Sequence, residues 1–152
     1  MLPKNKAAQR TEIWSGLETI SKKSFQVLSR AKATSDYCHD SKSPFFLVTN
    51  DQYFQMIKQL KAKGIRQRFI TEITQENVRY SKELANYVEL RHLEGVKGNF
   101  GIVDGKEYGA AANIYDCSHR SNLFIAMLRH LLSNSSTSLK FCGIKQYPLN
   151  RE

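Results

Sequence analysis

The stretch Glu94 to Tyr108, EGVKGNFGIVDGKEY, constrains this fold more than any other part of the chain. Gly95, Gly98, Gly101 and Gly105 all fall within it, and glycine at that density forbids a long helix. What remains is a hairpin over Asn99 to Ala112, an apolar strand followed by an Asp104-Gly105 turn and a second strand. The glycines also invite comparison with a phosphate cradle. Neither GxGxxG nor GxxxxGK[ST] is present, so turn chemistry is the cheaper explanation.

Upstream of the hairpin, helical and strand patterns alternate. Ile13, Leu17, Ile20, Phe25, Val27 and Leu28 recur at helical spacing, predicting an amphipathic helix over Thr11 to Ala31. TSDYCHD reads as a short strand, and the apolar run FFLVTN after Ser43-Pro44 as a buried one. Asn50 or Asp51 caps a helix QYFQMIKQLKAK that turns Phe54, Ile57 and Leu60 inward and stops at Gly64. IRQRFITEI alternates as a strand. Thr74 opens a further helix with Val78, Leu84, Ala85 and Val88 as its apolar face, and VELRHL is a short strand. Strands alternating with helices of about a dozen residues predict a layered α/β domain with a mainly parallel sheet and flanking helices.

The chain has 152 residues, room for one domain with a sizeable core. Its net charge of +9 would suit a polyanion. However, residues 117–152 hold five Lys/Arg against one acid, so +4 of that charge lies in the last quarter of the chain. Cys38, Cys117 and Cys142 form no CxxC pair, and no zinc spacing runs through the four histidines. Free thiols and the lack of an apolar run of about 18 residues predict a cytoplasmic protein that holds no metal or cofactor and does not enter a membrane.

His92 lies in ELRHL, whose letters resemble a phosphoacceptor box. A phosphoacceptor needs a long exposed helix, which the following glycines exclude, and no nucleotide lid follows; His92 is instead a strand-end residue, structural or ligand-facing. Arg66, Arg68, Arg91 and Lys97 are basic residues at strand positions. They either line an anion pocket at the sheet edge or form a solvated surface. Glu72, Glu76, Glu83 and Asp104 show no pairing that spacing defines, and capping explains them. Cys38 adjoins His39, yet neighbours on a strand point to opposite faces, which works against a Cys/His dyad.

Lys61 to Ala112, and above all RFITEIT, KEL and ELRHLEGVKGNFG, resembles the N-terminal sensory module of archaeal two-component histidine kinases. That module looks like a degenerate half of the phospholipase D fold, also found in effector-sensing domains of archaeal regulators. The resemblance implies a pattern HxKxxxxD before a hairpin. Asp104 takes its final position, while Lys97 and Asn99 stand where histidine and lysine would stand. The implied function is therefore a non-catalytic sensor or input domain. An effector-binding module of a transcriptional regulator is the alternative, and a phospholipase D-type hydrolase is disfavoured by the lost residues. Candidate sensing residues are Arg68, Thr71, Glu72, Arg91, His92, Lys97 and Asn99. The implied partners are a small ligand, a second copy of the chain, and a kinase core or response regulator in a longer parent; nucleic acid is excluded.

The expected organisation is a disordered start (1–10), the input domain (11–116) and a tail (117–152). Codons compatible with Leu123 to Pro148, read two bases later, can encode the strand and helix that such modules carry there. The tail thus reads as out-of-frame translation, which resequencing the locus tests. Without its last strand the phospholipase D-like half would be incomplete at the C-terminus, leaving an unpaired edge and a chain prone to aggregate.

Overall fold

The computed structural model describes residues 11–111 and the backbone of 125–129 and 147–148. The expected disordered start and most of the expected out-of-frame tail lie outside the described residues.

In chain order the elements are β1 (Thr11–Trp14), α1 (Leu17–Ser29), β2 (Thr34–His39), α2 (Ser43–Thr49), α3 (Asp51–Ala62), β3 (Arg66–Thr71), α4 (Val78–Leu84), β4 (Glu89–His92), β5 (Asn99–Val103), β6 (Glu107–Ala111), β7 (Ile125–Arg129) and β8 (Tyr147–Pro148). They form one mixed sheet in the order β1-β7-β6-β5-β2-β3-β4-β8. This is the expected α/β layering, with a corrected strand direction. Only β2–β3 and β3–β4 are parallel, and the other neighbours run antiparallel. The hairpin and the short strands at both edges account for the difference.

Three further expectations change. Thr11–Trp14 is a strand, because it pairs with β7; Gly16, at φ 82, turns the chain before α1 begins. FFLVTN is helical, within α2. An apolar run of that length has no period to distinguish helix from strand, and Pro44 in the first turn suits a helix start. The helix expected from Thr74 begins at Val78, because Asn77 Oδ1 accepts from the Thr74 amide at 3.0 Å and closes a turn first. Val78 is exposed, so Ser81 and Leu84 are what α4 buries. Beyond the hairpin, β6 has β7 beside it and β7 has β1, so the sheet's open edges are β1 and β8.

α3 forms as read. Asn50 Oδ1 accepts from the Tyr53 amide at 3.3 Å, Phe54, Ile57 and Leu60 are buried, and Gly64 follows at φ 77. The helices pack on one sheet face over two connected clusters. One joins Ile20, Val27, Leu28 and Leu60 to Val103 and Ala111. The other joins Leu47, Phe54, Ile57 and Leu84 to Phe69 and Leu90. Leu60 and Leu84 are each 1% exposed, and full burial of a leucine contributes about 2 kcal/mol.

Two glycine-dependent features fix the hairpin against β2. Tyr37 is the register partner of Gly101, and its ring occupies the space that a Cβ on Gly101 would need. At the turn, Asp104 and Gly105 have φ 53 and 64, the left-handed pair of a type I′ turn, which the Lys106 amide closes by donating to the Val103 carbonyl at 3.0 Å. The Asp104 carboxylate then accepts from the backbone amides of Lys32, Ala33 and Thr34 at 2.9, 2.8 and 2.9 Å.

Candidate functional site

Ligands in open α/β sheets collect beyond the carboxyl ends of parallel strands. Here those ends carry His39 on β2, Thr71 on β3 and His92 on β4, aligned in register. Antiparallel β5 brings Asn99 alongside His39, the Asn99 Oδ1 lying 3.4 Å from His39 Nδ1. Asn99, His39, Thr71 and His92 therefore make one polar row across the end of the sheet. The sequence reading named three of these four.

The loop after β2 completes the cluster. Asn99 Nδ2 donates to Asp40 Oδ2 at 2.9 Å, which fixes the amide orientation, and Asn99 Oδ1 accepts from the Asp40 amide at 3.2 Å. Ser43 Oγ lies 2.9 Å from Asn99 Oδ1 and 3.0 Å from Asp40 Oδ1, between two acceptors for its one proton. Thr71 Oγ1 donates to the Asp40 carbonyl at 2.9 Å. Asn77 ties in the next loop, donating from Nδ2 to the carbonyls of Ser41 at 2.7 Å and Glu72 at 2.9 Å. Asn99 is 6% exposed and Ser43 fully buried, so the cluster is a shielded network.

His92 Nδ1 accepts from the Ile73 amide at 2.9 Å, which leaves the ring proton on Nε2. Glu72 Oε2 accepts from the Gly95 amide at 3.2 Å. Both residues thus hold the loops around the row. For His39, burial pushes the imidazole down to about 4, against the opposing pull of Asn99 and Asp40. It is neutral at physiological pH, with Nδ1–H directed at Asn99.

The basic residues are placed elsewhere. Arg68 is not brought to the row: its guanidinium makes a two-pronged pair with buried Asp36, Nε to Oδ1 at 2.6 Å and Nη2 to Oδ2. Arg66 makes a similar exposed pair with Glu89 at 2.7 and 3.0 Å. Hydrogen bonding to Arg66 holds the Glu89 carboxyl below its ordinary range. Arg91 pairs in register with Ile70 on the face opposite the helices, and Lys97 is exposed just before β5. No shared anion pocket forms from these four. His39, Asp40 and Ser43 were missed as site residues. Their signal was their place directly after a strand of a parallel pair.

These elements form a mixed α/β fold whose likeness to solved structures fits a phospholipase D-like arrangement. No protein-family profile matches the chain, and no curated protein matches it. Among solved structures it resembles NucT from Helicobacter pylori, with TM-score 0.57 and 14% identity over 80% of this chain and 85% of that one. It also resembles TrmBL2, an archaeal chromatin protein described as showing a novel mode of DNA binding, with TM-score 0.53 and 16% identity over 86% of this chain. The chain spans 48% of TrmBL2. These likenesses lend nothing to a histidine-kinase affiliation. The exclusion of nucleic acid as a partner is withdrawn, because this fold also occurs in a DNA-binding chromatin protein. No described helix is long and apolar enough to cross a membrane.

Proposed function

We propose that the chain is a non-catalytic phospholipase D-like regulatory module, which binds an effector and passes that event to a separate output unit. One observation carries this reading. Asn99, which stands where the resemblance would place the lysine, is tied to Asp40, Ser43 and His39 in a buried network, and Lys97 stands where it would place the histidine. A cluster of this kind can orient a loop or a ligand, but it offers no activated group for phosphoryl transfer. Of the two hosts considered, a DNA-binding regulator is favoured over a histidine kinase by the fold shared with a chromatin protein.

The test is phosphodiester hydrolysis. With bis(p-nitrophenyl) phosphate and with duplex DNA, the chain is expected to give no turnover above buffer. Hydrolysis that disappears in an Asn99→Ala or His39→Phe variant would overturn the reading.

A further inference from the structure

Three buried side-chain polar atoms among the described residues have no hydrogen-bond partner: Ser35 Oγ, His39 Nε2 and Gln67 Oε1. All three residues line one partly open cavity of about 130 Å³ between the sheet and helices α1 to α3. Nearly all buried polar groups in folded proteins are paired. Three orphans on one cavity wall call for an occupant.

The wall specifies its chemistry. Ser35 and Gln67 are register partners across β2 and β3, and His39 lies four residues further along the same face of β2, about 13 Å away at 3.3 Å per residue. Between these two polar ends the lining is hydrocarbon and aromatic, including Tyr37, Phe69, Ile57 and Leu60. Gln67 Nε2 already donates to the Ile57 carbonyl at 2.9 Å, so its free oxygen is an acceptor. His39 Nδ1 is directed at Asn99 Oδ1, so Nε2 is an acceptor as well. Among the described residues the lining holds no lysine or arginine, and its carboxylate, Glu107, is bonded to Arg30. A charged ligand would find no counter-charge there. The volume is near that of an apolar cavity of about 150 Å³ that takes up benzene.

We propose that this cavity is the effector site of the module, and that it takes a small uncharged molecule with a hydrocarbon body and a hydroxyl or N–H donor at each end. The proposal rests on the reading of the chain as a binding module. The row at the end of the sheet then meets the ligand through His39, whose other nitrogen connects it to Asn99 and the loop after β2.

Titration of the full chain with 1,6-hexanediol, followed by amide chemical shifts and compared with 1-hexanol, tests this. Saturable shifts at the lining residues are expected, with the diol bound more tightly than the mono-alcohol. His39→Phe and Gln67→Met should each weaken the diol roughly fivefold, the loss that one neutral hydrogen bond carries. Each variant also loses the bond made by its other polar atom, Gln67 Nε2 to the Ile57 carbonyl or His39 Nδ1 to Asn99 Oδ1, so each should melt somewhat lower than the native chain while keeping one cooperative transition. If either fails to fold, Ser35→Ala carries the same comparison. Absence of saturable shifts, or equal affinity for the two alcohols, overturns the proposal. Phosphodiester turnover would instead overturn the regulatory reading while the titration stood, so the two failures are distinguishable.

Discussion

Arg68→Met is expected to destabilise the chain by about 3 kcal/mol, the cost of taking a two-pronged guanidinium away from a buried carboxylate. Asp36 is 4% exposed, and both guanidinium contacts are directed at it. Urea unfolding measures the loss. The double variant Asp36→Leu/Arg68→Met should recover a substantial part of it, because removing both charges also removes the desolvation that burial imposes. A single-variant loss under about 1 kcal/mol, the range of a surface pair, would restore Arg68 as a free ligand-binding residue.

Asp104→Ala should cost about 3 kcal/mol, since one carboxylate holds three backbone amides and bonds to charged acceptors contribute more than neutral ones. Desolvation pushes this carboxyl upward, but the amides of Thr34, Lys32 and Ala33 with the Lys106 ammonium outweigh it and leave the pKa below its ordinary 3.8. With a depressed folded pKa, the contribution is fully present above about 3.8 and is lost as pH falls through the folded value. His39 acts at higher pH. Its folded value near 4 against an ordinary 6.5 means that stability declines as pH falls from 6.5 toward 4, where the unfolded chain takes up the proton. Stability measured from pH 7 to 3 should therefore fall in two windows, with Asp104→Ala reducing only the lower one, to which Glu89 also contributes. A profile unchanged by Asp104→Ala would refute the assignment.

Much of the domain was legible because its signals are local. Asn50 before an amphipathic run, Gly64 after it, and Asp104-Gly105 between two apolar stretches each specify a backbone event within a few residues. The errors arose where distant chain decides the outcome. Thr11–Trp14 is a strand only because residues 125–129 lie beside it. Arg68 appeared available because its partner, Asp36, is set opposite by register and not by spacing. The polar row was read in part for a related reason. Thr71, His92 and Asn99 were recognisable as strand-end polar residues, but His39 was judged only as a partner for Cys38, from which the strand turns it away. The unpaired atoms of Ser35 and Gln67 left no trace in the sequence, since a buried serine and a surface serine are the same letter.

The position of β2 also bears on how the chain comes to be folded at all. It is the central strand between β5 and β3, and Asp104 secures its first residue. A nascent chain that has emerged only as far as β4 holds the parallel strands and their helices, yet one side of β2 has no neighbour and its start has no anchor. Contacts of such sequence separation close late, after the loop entropy has been met. The domain is therefore assembled outward from a strand made early but completed only after residue 104, and until then the backbone edge of β2 that receives β5 is open to solvent.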